Sequence, residues 1–118
     1  MAHNPAGAWA LRAALSERYP DRAFTLVFGA MRDKAIGEMA EILFPLAERV
    51  IVTPADNPRS ATAEQIREAS THAGAEVLAA RNVPSALDLA RASGAGLVVV
   101  TGSIYIVGEA MQALGVRP

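Results

Sequence analysis

The sequence predicts a Rossmann-like three-layer α/β domain, in which helices cover both faces of a mainly parallel sheet. After an initial helix, apolar runs typical of strands alternate four times with amphipathic segments typical of helices. The runs are almost continuously apolar, which favours strands buried on both faces. A length of 118 residues, with 52% hydrophobic and 19% charged residues, is typical of one globular domain.

The first predicted elements are a helix and a strand. Asn4 and Pro5 are favoured at a helix cap and a first helical position, and this helix is expected to run towards Tyr19. Phe24 to Phe28 is a short apolar run ending at Gly29, which predicts a buried strand.

A second helix and a second strand follow. Apolar residues recur at helical spacing until Pro45 stops them: Ile36, Met39, Ala40 and Leu43. Val50 to Val52 is the next strand, and residues 53–60 form a loop with two prolines.

The second half repeats the alternation. Residues 62–65 have the spacing of a capping box, opening a helix that Gly74 closes. One face of this helix is expected to hold Ile66, Ala69 and Ala73. A weak strand at 76–78 and a helix over 85–94 come next. Leu97 to Thr101 is the clearest strand, and the final helix, from Ser103, is expected to present Val107, Ala110, Met111 and Leu114 on one face.

Composition excludes several classes of site. The chain has no cysteine, so it has no disulfide, catalytic thiolate or zinc–thiolate site, and this fits a cytoplasmic protein. A formal charge of -1 gives no strong field for nucleic acid or an anionic membrane. The longest strongly apolar run, Leu97 to Val100, is far too short to span a membrane, and Arg12 argues against a signal peptide. We therefore expect a soluble cytoplasmic domain.

Candidate binding residues follow the predicted strands. In a parallel α/β sheet, ligands bind beyond the carboxyl ends of the strands, where helix amino termini also point. Four segments have this position: His3–Asn4–Pro5, Gly29 to Lys34, Thr53 to Ser60, and Thr101–Gly102–Ser103. No G-x-x-x-x-G-K-[ST] or G-x-G-x-x-G motif occurs, so the sequence predicts neither a P-loop nor a dinucleotide fingerprint.

These segments, read as HNPAGAWAL, VFGAMRDK, TPADNPRSA and TGSIYIVGEAM, cover about a third of the chain. In this order and spacing they resemble the carboxyl-terminal domain of folylpolyglutamate/dihydrofolate synthases, of the Mur ligase superfamily. The resemblance covers residues 1–118 as a glutamate-binding lobe and implies that the central ATP-binding domain is absent from this sequence.

The resemblance implies an ATP-dependent amide ligase. Such enzymes phosphorylate a carboxylate of dihydropteroate or folate, and the amine of L-glutamate then attacks the acyl phosphate. ATP and magnesium are bound mainly by the central domain, which is the implied protein partner. We therefore expect no catalytic residue in this chain alone and no activity from it alone.

The same resemblance suggests roles for six residues. On the glutamate side they are Lys34, Ser103 and Arg59; on the ATP side they are His3, Asn4 and Arg32. Each also has a simpler structural interpretation. Asn4 and Ser103 are favoured helix caps, Lys34 can be a solvated partner of Asp33 or Glu38, and an arginine in a proline-bounded loop is often a brace.

Two alternatives stay open. Asp56–Asn57–Pro58–Arg59 resembles a motif of the cell-wall Mur ligases that add diaminopimelate, so the lobe could belong to that branch. A non-catalytic α/β interaction module would bind neither ATP nor glutamate.

His72 has no second histidine or cysteine nearby, which argues against a metal site.

Overall fold

The computed structural model describes residues 3–94 and 96–115. Its helices are α1 (Pro5–Arg18), α2 (Ile36–Leu43), α3 (Ala63–Ala69), α4 (Val83–Ala92) and α5 (Ile104–Leu114), and its strands are β1 (Thr25–Phe28), β2 (Arg49–Val52), β3 (Val77–Ala79) and β4 (Val98–Thr101). All strand pairs of this sheet are parallel, in the order β3-β2-β1-β4. The predicted Rossmann-like α/β fold is confirmed.

The sheet is buried on both faces because successive side chains of a strand point to opposite sides. Leu26 and Phe28 join the core beneath α1, α2 and α3, where the rings of Phe28 and Phe44 meet edge to face at 5.3 Å. Val27 and Ile51 pack on the other face, against α4. The three predicted layers are therefore present, and their two cores fix the strand ends that carry the loops.

Side-chain caps begin several helices where the sequence predicts them. The Asn4 side chain accepts a hydrogen bond from the Gly7 N–H at 2.8 Å, with Pro5 at the first helical position. Thr62 and Gln65 form the predicted capping box. Ser103 caps α5.

Within residues 3–94 and 96–115, no helix is both long and apolar enough to cross a membrane.

Two boundary predictions were wrong and one was confirmed. Helix α2 ends at Leu43, before Pro45 as predicted, and a separate 3-10 turn over Phe44–Leu46 follows it. The helix after Thr62 ends at Ala69, and a separate 3-10 turn leads to Gly74, which takes the left-handed conformation. The fourth helix starts at Val83 rather than Ser85, since Asn82 caps it by accepting the Ser85 N–H at 2.9 Å.

Two predicted helix faces also need correction. Ala69 is exposed, whereas Ile66 is buried; α3 ends at Ala69, and the buried Ala73 lies in the separate 3-10 turn that follows. On α5 the buried residues are Ile106 and Ala110, whereas Leu114 is 47% exposed.

Gly108 weakens α5 without serving its packing. It lies within the helix and is exposed, and an added Cβ would meet no atom within 4 Å. We expect Gly108→Ala to raise the free energy of unfolding by about 0.5–1 kcal/mol, because alanine loses less backbone entropy in a helix. Urea denaturation checks this. A lower denaturation midpoint in the alanine variant would contradict it.

Candidate functional site at the carboxyl edge of the sheet

The loops after β1 and β2 are held together by backbone hydrogen bonds. The Arg32 N–H donates to the Arg59 carbonyl at 2.9 Å, and the Ala61 N–H donates to the Ala30 carbonyl at 2.9 Å. Met31 and Ser60 form an antiparallel bridge between these contacts. The two loops therefore form one unit, although the sequence separates them by a helix and a strand.

The loop after β4 lies directly on the end of β1. Gly102 has φ +119, and a Cβ there would overlap the backbone of Gly29. A Cβ on Gly29 would in turn overlap the Thr53 carbonyl oxygen and the Ile106 side chain. Because both positions lack a side chain, the start of α5 can approach the first two loops closely.

A cleft of about 250 Å³ opens where these segments meet. Its lining residues come from the start of the chain and from the loops after β1, β2 and β4: His3, Met31, Lys34, Arg59, Gly102, Ser103, Ile104 and Tyr105. The structure thus brings together all three residues predicted on the glutamate side, Lys34, Arg59 and Ser103, with His3 beside them. Two cationic side chains and a helix amino terminus facing one small cleft form a site suited to an anion.

Lys34 is the only lysine of the sequence. Its side chain is exposed and it precedes α2. Its backbone N–H donates to the Met31 carbonyl at 3.2 Å. The ion pair found in the described part of the chain joins Arg67 to Glu64, so Lys34 pairs there with neither Asp33 nor Glu38. Lys34 therefore lines the cleft with no carboxylate of the described residues paired to its ammonium group.

Ser103 is 4% exposed, and its hydroxyl accepts a hydrogen bond from the Ile106 N–H at 3.1 Å. The hydroxyl hydrogen is still able to donate. The N–H groups of Ile104 and Tyr105 begin α5, at helical positions that have no intrahelical acceptor. Capping and anion binding are compatible here, since the cap holds the helix start at the cleft.

Arg59 lies in a loop held by short local contacts. Its N–H donates to the Asn57 side-chain oxygen at 2.9 Å. The buried Ser60 hydroxyl accepts the Ala55 N–H at 2.9 Å and donates to the Ala61 carbonyl at 3.1 Å. The Arg59 side chain is exposed and lines the cleft, so the bracing in this loop comes from Asn57 and Ser60.

The residues predicted on the ATP side are divided. His3 lines the cleft, whereas the Asn4 side chain is engaged as the α1 cap. Arg32 lies in a neighbouring groove of about 570 Å³, which Lys34 also lines. Lys34 therefore lies between the cleft and this groove. Among residues 3–94 and 96–115, no group of three or more His, Cys, Asp or Glu side chains could hold a metal ion.

Sequence reasoning missed two supports of this site. It assigned no role to Ser60, or to Glu109, whose carboxylate accepts the Asp56 N–H at 2.9 Å across 53 residues. No local signal marks such a contact, because it depends on how α5 packs. Trp9 is 57% exposed, with the Arg12 guanidinium 5.5 Å from its ring centre.

Comparison with known proteins shows which family this chain belongs to. Residues 1–104 match the family model described as Mur ligase, glutamate ligase domain. A probable bifunctional folylpolyglutamate synthase/dihydropteroate synthase of Halobacterium salinarum is 38% identical over 112 residues, covering 92% of this chain and 14% of that protein. A dihydrofolate synthase/folylpolyglutamate synthase of Mycobacterium tuberculosis is 30% identical over 99% of this chain and 28% of its own length.

Solved structures agree with the sequence matches. Mycobacterium tuberculosis folylpolyglutamate synthase, complexed with ADP and AMPPCP, superposes with a TM-score of 0.90 at 29% identity. The superposition covers 99% of this chain and 29% of that one. The chain thus spans less than a third of the length of each of these relatives.

Proposed function

Since this chain belongs to the glutamate ligase domain family of the Mur ligases, we propose that it is the carboxyl-terminal, glutamate-binding lobe of an ATP-dependent amide ligase. The names of its relatives favour folylpolyglutamate and dihydrofolate synthesis, in which L-glutamate joins a folate or dihydropteroate. The observation that carries the proposal is the cleft in which Lys34, Arg59 and the Ser103 helix start face one another.

The proposed reaction has two steps. A carboxylate oxygen of the folate or pteroate substrate attacks the γ-phosphorus of ATP, giving an acyl phosphate and ADP. The amine of glutamate then attacks the acyl carbon, an amide bond forms, inorganic phosphate leaves, and the amine loses a proton. Glutamate must keep its own carboxylates fixed while its amine reacts, because orientation makes a large contribution to the rate of such a step.

This chain's own residues would supply that fixation. The Lys34 ammonium and the Arg59 guanidinium would each bind a carboxylate oxygen, the guanidinium in a fork that suits two oxygens. The Ser103 hydroxyl and the first N–H groups of α5 would hold a carboxylate at the positive end of the helix dipole.

ATP would be bound mainly elsewhere. The sequence has no P-loop, and the described residues offer no metal-binding acidic group, so the γ-phosphate and magnesium would be held by a central domain. Magnesium would there neutralise phosphate charge during phosphoryl transfer. His3 and Arg32 would approach the nucleotide from this side, while Asn4 would act through the α1 cap.

A second candidate is the corresponding lobe of a cell-wall Mur ligase. The Asp56–Asn57–Pro58–Arg59 segment supports it, because Arg59 lines the cleft and Asp56 lies in the same loop. Such a site would prefer diaminopimelate, whose second ammonium group distinguishes it from glutamate. Competition between glutamate and diaminopimelate separates the two candidates.

An NMR titration of the 15N-labelled chain with L-glutamate tests the proposal. We expect saturable amide shifts at Lys34 and Ser103, and no shift there with L-glutaminamide, which lacks both carboxylates. As a control for loss of a positive charge away from the cleft, Arg67→Ala on the exposed face of α3 should leave the glutamate titration unchanged. The chain alone should hydrolyse no ATP.

If glutamate causes no saturable shift either alone or after the central domain and ATP are added, the lobe does not bind glutamate. If diaminopimelate binds more tightly than glutamate, the cell-wall alternative replaces the folate proposal.

A further inference from the structure

One carboxylate outside the cleft is bonded to the loop that carries Arg59. Glu109 lies on α5, and its Oε2 accepts a hydrogen bond from the backbone N–H of Asp56 at 2.9 Å. Glu109 is half-buried and pairs with no Lys, Arg or His in the described part of the chain. A hydrogen bond to a charged acceptor is roughly twice as strong as one between neutral groups.

The contact at the Asp56 N–H can position the whole loop, because the loop is short and its other residues are held by local hydrogen bonds. The Asn57 N–H donates to Ala55, the Ser60 N–H donates to Asn57, and the Arg59 N–H donates to the Asn57 side chain. The far end of the loop is held by the buried Ser60 hydroxyl. Only the segment around Asp56 projects towards the outer cleft of about 730 Å³, which Glu109 and Arg81 also line.

Helix α5 therefore touches the site at two places. Its start, at Ser103, lines the inner cleft, and one later side chain, Glu109, holds the Arg59 loop. Ile106 and Ala110, buried on either side of Glu109 in sequence, fix the helix against the cluster that contains Ala55 and Met31. The distance between the helix start and Arg59 is thus set by one rigid element.

We infer that Glu109 is a positioning residue, which holds the Asp56–Arg59 segment so that Arg59 and the Ser103 helix start contact the same dicarboxylate. This deepens the proposed function and rests on it for the identity of the ligand. The Glu109 side chain acts through the loop and does not line the inner cleft. Its effect on binding should therefore pass entirely through Arg59.

The variants that test this are Glu109→Ala, Glu109→Gln, Arg59→Ala and the double variant. Glutamine keeps a carbonyl oxygen at the same place, so it can still accept the Asp56 N–H, whereas alanine cannot. Asp56→Ala is the matched control, because the contact uses the Asp56 backbone and not its exposed carboxylate.

The first measurement needs no ligand. In hydrogen exchange of the chain, Glu109→Ala should speed exchange of the Asp56 amide at least tenfold, while Glu109→Gln and Asp56→Ala stay close to the wild type. If Glu109→Ala leaves this exchange unchanged, the positioning role is wrong, whatever the chain binds.

The second measurement is the dissociation constant for L-glutamate by the same titration used above. Glu109→Ala should weaken binding about three- to tenfold, Glu109→Gln should restore most of it, and the double variant should bind no worse than Arg59→Ala. If Glu109→Ala weakens glutamate binding by the same factor in the wild-type chain and in the Arg59→Ala chain, the inference is wrong. A wild-type chain with a protected Asp56 amide that binds no glutamate would instead reject the proposed function and leave the loop contact established.

Discussion

Replacing Gly102 with alanine is expected to lower the free energy of unfolding by about 3–5 kcal/mol, from backbone strain and overpacking together. Gly102 has φ +119, a conformation that L side chains rarely adopt. The added methyl group would also overlap the Gly29 backbone, which cannot rotate away as a flexible side chain would. The ends of β1 and β4 would have to separate.

Gly94 provides the matched control for this variant. It also has positive φ, +77, but an added Cβ there would meet no atom within 4 Å. Gly94→Ala should therefore cost only the conformational term, about 1–2 kcal/mol. Urea denaturation of the two variants separates strain from overlap. Equal losses would show that the contact between Gly102 and Gly29 contributes little to stability.

Loss of the Lys34 ammonium is expected to raise the KM for glutamate in the complete ligase by roughly 10- to 100-fold. A hydrogen bond to a charged group contributes about 1.5–3 kcal/mol, and about 1.4 kcal/mol corresponds to a factor of ten. Lys34 lines both the cleft, with Arg59 and Ser103, and the groove that contains Arg32, so Lys34→Ala should raise the KM for ATP by a smaller factor than that for glutamate. Steady-state kinetics with each substrate varied in turn measures both constants.

Arg32→Ala is the reciprocal control for the lysine variant. Arg32 lines the neighbouring groove and not the cleft, so its loss should affect the KM for ATP more than that for glutamate. Lys34→Arg keeps the charge and should recover part of the glutamate affinity. If Lys34→Ala raises both KM values equally, the lysine does not act specifically on glutamate.

The sequence was sufficient to predict the sheet and the gathering of its loops. Short continuous apolar runs such as Leu26 to Phe28, followed by Gly29, favour a strand covered on both faces, and parallel strands bring their carboxyl ends to one edge. The side chains of Lys34, Arg59 and Ser103 could be expected to meet for that reason alone. Their roles in binding stay predictions.

The phase of α5 could not be read from periodicity. Ile104, Tyr105, Ile106 and Val107 are all apolar, so two adjacent faces satisfy the same helical spacing. Packing on α4 and the sheet selects the face of Ile106 and Ala110. The contact of Glu109 with Asp56 depends on which face of α5 is buried, so it could not be predicted from the sequence either.

Helix starts were predicted well where a cap was obvious and poorly where two candidates competed. Asn82 and Ser85 both have capping side chains, and Pro84 fits the first turn of a helix capped by Asn82. Pro84 therefore favours Asn82 as the cap, a local signal that the predicted start at Ser85 overlooked. Val83, the first residue of α4, is buried.

Because the sequence has a single lysine, one side-chain amine of this chain can be labelled selectively. Reductive methylation with 13C-labelled formaldehyde modifies primary amines, and the only side-chain amine in the sequence is Nζ of Lys34. Apart from the terminal amino group, the resulting dimethylamine signal would therefore arise from a single atom at the mouth of the cleft. Methylation retains the positive charge, so this signal would report ligand arrival without assignment of the remaining spectrum.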